Sequence, residues 1–289
     1  METQRSALIT GCSQGGLGEA LAFAFNDRGL KVFASARDPS KMADLKTKGI
    51  ELVQMDVLSP VSITQAVTRI SSVTNGSLDI LVNNAGACYS MPLVDASLHA
   101  ARDLFDLNVI SILAITQAFL PLLRKSTMKA MIVNQTSISS ISTVPMTGVY
   151  NASKAAAAAL TENLRLELEP FHICVVDLKT GAVRSSFYSN QNRGARPQLP
   201  QNSIYSCAKT EVEYSMTGEA LKKDMVPADR WAASVVSELL VREPPVRIWK
   251  GGNASLMWFT RRFLPFTFLD GTMKKLGALD VVERKMRKE

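Results

Sequence analysis

Ser6-Ala7-Leu8-Ile9-Thr10-Gly11-Cys12-Ser13-Gln14-Gly15-Gly16-Leu17-Gly18, running straight into Glu19 to Arg28, is the stretch that decides how this chain folds. Ser6 to Thr10 is a short apolar run of strand length. Glu19 to Arg28 carries Ala20, Leu21, Ala24 and Phe25 at helical spacing, so they share one face. Strand, glycine loop and helix in that order are the context in which a dinucleotide is bound. Glycines let the main chain approach a pyrophosphate, and the N–H groups at the helix start supply donors and a positive dipole end. Gly11, Ser13, Gly16, Leu17 and Gly18 are the candidate contacts.

The alternation continues along the chain. Lys31 to Ala36, Ile50 to Gln54, Leu78 to Val82, Ala130 to Thr136, Ile173 to Leu178 and Val246 to Trp249 read as further strands. Between them, Pro92 to Leu107, Val109 to Leu123, Thr147 to Pro170 and Pro227 to Val241 read as helices, with Asn108 separating the first two. Strands alternating with helices of about 10 residues or more predict parallel βαβ units with right-handed crossovers. The expectation is an α/β fold: a single Rossmann-type, doubly wound parallel sheet flanked by helices. Sites in such sheets lie beyond the carboxyl ends of the strands. Asp56-Val57 follows the third strand, and Asn83-Asn84-Ala85-Gly86 follows the fourth as a turn whose small residues allow a cofactor close.

The second strand bears on which cofactor. A dinucleotide with a free ribose 2′-hydroxyl asks for an acidic residue about 20 positions after the loop. The strand ends instead in Ser35, Ala36 and Arg37, a hydroxyl and a guanidinium that suit a 2′-phosphate. NADP(H) is therefore expected over NAD(H).

Bulk composition narrows the class. At 46% apolar and 20% charged, the 289 residues suit a soluble globular protein with a filled core, not a disordered one. No run reaches the ~20 apolar residues of a membrane-spanning helix. The first strand begins near Ala7, which leaves no room for a signal or transit peptide. Cys12, Cys88, Cys174 and Cys207 are scattered, so no metal site and no disulfide framework is indicated, and a cytoplasmic location is expected. The formal charge of +7 is concentrated late: eight basic against four acidic residues follow Arg261, counting it. That distribution, without the aromatic interleaving of a single-strand binder, argues against a nucleic-acid partner.

The chemistry is carried by Ser137 to Lys154, which places a hydroxyl, a phenol and an amine in one short segment. Tyr150 and Lys154 are four residues apart and share a helix face. A nearby ammonium favours the phenolate, so Lys154 is expected to lower the Tyr150 pKa toward the range useful in acid–base catalysis. Tyr205 and Lys209 repeat the spacing, but in a stretch of Pro, Gln, Asn and Arg that reads as loop.

Thr10-Gly11, Gly15-Gly16-Leu17-Gly18, Asn83-Asn84-Ala85-Gly86, Asn108, Ser137 and Tyr150-x-x-x-Lys154 together resemble the short-chain dehydrogenase/reductase family, over about residues 5–250. The resemblance implies Tyr150 as proton donor and Lys154 as the group that lowers its pKa and holds the nicotinamide ribose. It implies Ser137 steadying a substrate carbonyl and Asn108 completing a proton relay. Asp56, Val57, Asn83, Ala85, Gly86, Gly181 and Val183 then join the glycine loop, Arg37, Tyr150 and Lys154 as cofactor contacts. The doubled glycine and the aromatic, basic tail look most like 1-acyldihydroxyacetone-phosphate reductases, and fungal specialised-metabolite enzymes share the build. That implies NADPH-dependent reduction of a ketone on a hydrophobic, lipid-like small molecule. Oxidation of a secondary alcohol and a non-catalytic cofactor-binding scaffold are the alternatives. Where the family commonly has Pro-Gly after the sixth strand, this chain has Thr180-Gly181, and a looser turn is expected there.

Residues 1–250 read as the catalytic domain. Within it, 184–217 lose periodicity and read as a substrate lid, where Arg184, Arg193 or Arg196 could greet an anion. Residues 251–289 form a hydrophobic and basic extension. Leu256 to Leu269 is its most aromatic part, and Leu276, Leu279, Val282 and Met286 line one face of a basic helix. The extension suits a pocket cap, a contact in a homo-oligomer, or attachment through 256–289 to an intracellular membrane or lipid droplet.

Overall fold

Strands that are continuously apolar, rather than alternating, belong to a sheet covered on both faces. The computed structural model describes residues 4–188 and 190–287, apart from the side chains of Asn192 and Arg193. In chain order it contains β1 (Ser6–Thr10), α1 (Leu17–Asp27), β2 (Lys31–Ala36), α2 (Ala43–Thr47), β3 (Glu51–Gln54), α3 (Pro60–Val73), β4 (Ile80–Asn83), α4 (Leu98–Phe105) and α5 (Ser111–Leu123). There follow β5 (Met131–Gln135), α6 (Gly148–Leu168), β6 (Cys174–Thr180), α7 (Lys209–Met216), α8 (Ala228–Leu239), β7 (Arg247–Lys250), α9 (Ala254–Phe263), α10 (Asp270–Leu276) and α11 (Leu279–Met286). The strands form one parallel sheet in the order β3-β2-β1-β4-β5-β6-β7, the doubly wound Rossmann-type α/β fold expected from the sequence.

Successive strand residues point to opposite faces, so each strand feeds two apolar layers. Ile9, Val82 and Val176 pack with Phe25, Trp231 and Val235 of α1 and α8. Leu8, Leu81 and Ile132 pack with Ile63, Ile70 and Phe119 of α3 and α5. Full burial of a side chain of this size contributes about 1.5–3 kcal/mol. Strand order reverses between β1 and β4, which opens a crevice at their carboxyl ends. The glycine loop and the Asn84-Ala85-Gly86 turn both leave the sheet there.

Two helices differ from expectation. The one expected from Pro92 starts at Leu98, where the Ser97 hydroxyl accepts a hydrogen bond from Ala100 N (3.3 Å) and caps it. Asn108 does not separate two helices either. It sits in a π turn, Asp106–Ile110, that joins α4 and α5 into one helix from Leu98 to Leu123. That helix is long and apolar enough to cross a bilayer, but half of its apolar window is buried, and it packs on α3 and β4.

Candidate active site

The glycine loop is clamped from β4. Thr10 Oγ1 accepts from Asn84 N (3.0 Å) and Ala85 N (2.9 Å), while Asn84 Nδ2 donates to Thr10 O (2.7 Å) and Gly11 O (3.1 Å). Gly11 has a φ of +72°, and a Cβ there would lie 2.8 Å from Ala85 Cα. A Cβ on Gly18 would lie 2.5 Å from Gly11 O, so the loop packs directly on the start of α1. Ser13 contributes its carbonyl, which accepts from Gly16 N (3.0 Å). Gly16 precedes α1 without a side-chain cap, leaving N–H groups of the first turn, beginning with Leu17, for an anionic ligand. These residues fit a dinucleotide pyrophosphate.

The ends of β2 and β3 are less uniform. The Ser35 hydroxyl is fully buried and donates to Ile9 O (3.3 Å), so it is not offered to a cofactor. Arg37 is exposed beside it. Asp38, one residue on, carries the carboxylate that the sequence reading passed over. It accepts from Ser40 N (3.0 Å) and Ser40 Oγ (2.7 Å), bonds that hold it below the usual carboxylate range. Asp56 accepts from Leu58 N (3.0 Å) at the turn after β3, and Val57 is buried in the core. Asn83 is a correction: its side chain is buried and donates to Asn134 Oδ1 (2.8 Å) and Thr116 Oγ1 (3.3 Å), inside the protein. Asn84, absent from the candidate contacts, does the clamping instead.

Four expected catalytic side chains converge. Tyr150 is buried beside Ser137, whose hydroxyl pulls the phenol down against the larger effect of burial. Ser137 Oγ also accepts from Ser139 N (3.0 Å) and reaches Thr180 O at 3.3 Å. Asn108 Nδ2 donates to Ala87 O (3.0 Å) and Ser153 Oγ (3.0 Å), and Oδ1 accepts from Ala87 N (2.9 Å). A Cβ on Gly86 would stand 3.0 Å from Asn108 Oδ1 and 3.5 Å from Lys154 Nζ, which places these three groups together.

The electrostatics overturn one expectation. Burial, not Lys154, dominates Tyr150 and pushes its phenol up, and Cys88 adds to the rise. Lys154 Nζ donates to Gln135 O (2.9 Å). Burial pulls this amine down to about 8, against the opposing charge of Asp177. Cys88 lies in the same apolar cluster, its thiol pushed up by burial to about 12. Among the described residues, no group of three or more His, Cys, Asp or Glu forms a metal cluster.

The turn after β6 is not loose. Gly181 N donates to Lys250 O (2.8 Å), Ala182 pairs with Gly252, and Val183 bridges Val226. Main-chain bonds do what a proline's fixed φ would have done. Beyond it, Ser186 N donates to Gly15 O (2.9 Å), and the Phe187 ring meets Tyr150 edge-on at 5.6 Å. Gln191 Nε2 donates to Met216 O (3.1 Å) and its Oε1 accepts from Ser90 Oγ (3.0 Å). The segment expected to be loop throughout contains α7, and Tyr205 joins its apolar cluster while Lys209 pairs with Glu213 (3.9 Å). Arg184 and Arg196 are exposed, and the side chain of Arg193 lies outside the described residues.

The tail is also regrouped. Its basic helix breaks at Gly277-Ala278, where Gly277 abuts Pro145 and Ala278 has a φ of +57°. Leu279 and Val282 then pack with Met146, Val212 and Met216, and Lys285 pairs with Glu211 of α7 (3.0 Å).

Comparison with known proteins agrees with this geometry. A family model described as short chain dehydrogenase matches residues 5–196. A short-chain dehydrogenase/reductase of Pestalotiopsis microspora is 46% identical over 99% of both chains. The NADPH-dependent 1-acyldihydroxyacetone phosphate reductase of Schizosaccharomyces pombe is 36% identical over 71% of this chain and 69% of its own. A short-chain dehydrogenase from Streptomyces avermitilis has a crystal structure that superposes with a TM-score of 0.77 at 27% identity, covering 98% of both chains. Sheet order, glycine loop and extended similarity agree: this chain belongs to the short-chain dehydrogenase/reductase family, oxidoreductases that bind nicotinamide cofactors and act on small molecules.

Proposed function

We propose that this chain is an NADPH-dependent reductase that converts a ketone on a hydrophobic, lipid-like or specialised-metabolite substrate to a secondary alcohol, with Tyr150 as proton donor. The observation that carries this reading is the placement of Tyr150, buried in an apolar cluster beside Ser137, with Asn108 and Lys154 gathered at Gly86. A proton donor must keep its proton until negative charge develops on the carbonyl oxygen. Burial keeps the phenol protonated for that step. Bound NADPH would supply the hydride. The chain's own residues orient and protonate: Ser137 is placed to steady the carbonyl, and Asn108 fixes Ala87 and the first turns of α6.

Arg37 would take the 2′-phosphate by charge-assisted hydrogen bonds, since Ser35 is committed elsewhere and the Asp38 carboxylate is held by Ser40. Leu104, Val149, Cys88 and Phe187 surround Tyr150 and favour an apolar substrate. Residues 184–217 act as its lid. The S. pombe relative, an NADPH-dependent 1-acyldihydroxyacetone phosphate reductase, supports both cofactor and substrate class.

The test is Tyr150→Phe, assayed by NADPH oxidation across a panel of hydrophobic ketones. Turnover should fall by about 10²–10⁴-fold while the Kd for NADPH is unchanged; wild-type turnover in the variant would overturn the assignment. Arg37→Glu should weaken NADPH binding by about 10–100-fold and leave NADH nearly unaffected. Equal losses for both cofactors would remove the case for the phosphate.

A further inference from the structure

The outer side of the C-terminal segment takes no part in that chemistry. α9 is seated on the body by Ala254, Met257 and Thr260, which are buried. Its other side presents Leu256, Trp258, Phe259 and Phe263, and the turn Phe266–Leu269 adds Phe266 and Phe268. These six side chains are 46% to 67% exposed. Their rings contact each other: Trp258 and Phe263 centroids are 6.0 Å apart, Phe259 and Phe263 5.1 Å. Grouped apolar exposure of this kind marks an interaction site.

Charge identifies the partner. Across 254–276 stand Arg261, Arg262, Lys274 and Lys275, against Asp270 as the lone carboxylate. Arg261 lies over the Phe266 ring at 4.2 Å and donates to Phe266 O (2.8 Å), which stiffens the turn. Among the described residues, Arg262, Lys274 and Lys275 form no ion pair. In α11, by contrast, Arg284, Lys285 and Arg287 are matched by Asp280, Glu211 and Glu283. The helix that looked amphipathic in sequence is therefore neutralised and turned onto residues 209–216, and the unmatched cations are Arg262 of α9 and Lys274 and Lys275 at the end of α10. Two copies of this chain docked through this surface about a twofold axis would set cations against cations. Anionic lipid headgroups would neutralise them, and aromatic rings suit the boundary between headgroups and acyl chains.

We propose that α9 and the Phe266–Leu269 turn dock on the surface of an anionic bilayer, with the aromatic side chains at the interface and Arg262, Lys274 and Lys275 on the headgroups. The experiment is flotation of the full chain with phosphatidylcholine vesicles, with and without phosphatidylserine. Trp258 emission is the second readout, separable because Trp231 is buried, Trp249 packs against Lys179 on the last strand, and Trp258→Phe gives the background of both. Binding should require phosphatidylserine, shift Trp258 emission to the blue and weaken with salt. Each of Arg262→Gln, Lys274→Gln and Lys275→Gln should weaken it about fivefold. The double variant Phe259→Ser, Phe263→Ser should abolish it while thermal unfolding and NADPH binding stay unchanged. Binding indifferent to phosphatidylserine and to these substitutions would overturn the proposal. So would a change in sedimentation mass in the double variant, which would assign the face to a second copy of the chain. Neither outcome bears on whether Tyr150 protonates a ketone during its reduction.

Discussion

Lys154 is a cation in surroundings that disfavour it. Burial lowers its pKa from 10.5 to about 8 in the folded protein. Between those two values the unfolded chain holds more protons than the folded one, so stability rises with pH across that window. Below about 8 the penalty for the buried charge is fully present. Urea denaturation at stepped pH should show this rise in the wild type and its absence in Lys154→Met. Asp177 and Lys179 pose the opposite case. They lie two apart on β6, hence on one side of the strand, and Lys179 Nζ is 2.7 Å from Asp177 Oδ2 with both side chains almost wholly buried. Thr136 bonds Asp177, and Ser140 accepts from Lys179 (3.0 Å). Asp177→Asn would leave Lys179 buried and uncompensated, at a cost of about 3–5 kcal/mol by urea denaturation. This pair was invisible in sequence because charged residues near a strand end read as solvated; only the packing of Trp249 and the Ser137 to Ser140 turn around them says otherwise.

At the scale of elements, the glycine loop depends on its clamp. Asn84→Ala removes two donors from main-chain carbonyls and should destabilise by about 1–3 kcal/mol. It should also raise the KM for the nicotinamide cofactor, because the loop that faces the cofactor is no longer fixed. Gly11→Ala should destabilise, where the same change inside a helix would stabilise, since a left-handed φ and a 2.8 Å contact with Ala85 act together. The loop and β2 were legible because glycine spacing and apolar runs are local properties. α3 was not read, since Ile63, Ala66 and Ile70 are diluted by Ser and Thr, although Ser59 before Pro60 is a helix-start signal. The break at Gly277 was hidden for the reverse reason. Apolar periodicity runs through it, and the abutting Pro145 is distant in sequence.

The whole molecule shows what local patterns cannot carry. The doubly wound parallel sheet followed from strands alternating with helices, and the grouping of Ser137, Tyr150, Lys154 and Asn108 from the family resemblance; the order of the strands was not read. Nor was the phenol's acidity, because desolvation depends on which segments come to lie over it, here Phe187. Segments 199–216 and 278–282 share one apolar cluster with Met146, so the two segments are expected to loosen together. Val282→Ser should raise amide hydrogen exchange across α7 and leave α8 unchanged, as measured by mass spectrometry.

The bond from Ser186 N to Gly15 O ties the segment 184–217 to the glycine loop, so opening of the one is coupled to the conformation of the other. Thermodynamic linkage then imposes a symmetry. Whatever factor the dinucleotide applies to the opening equilibrium of 184–217, a substitution that opens those residues must apply to dinucleotide affinity. Loosening Gln191, remote from the glycine loop, is thus also a change in the dinucleotide's dissociation constant, and the two effects can be compared number for number.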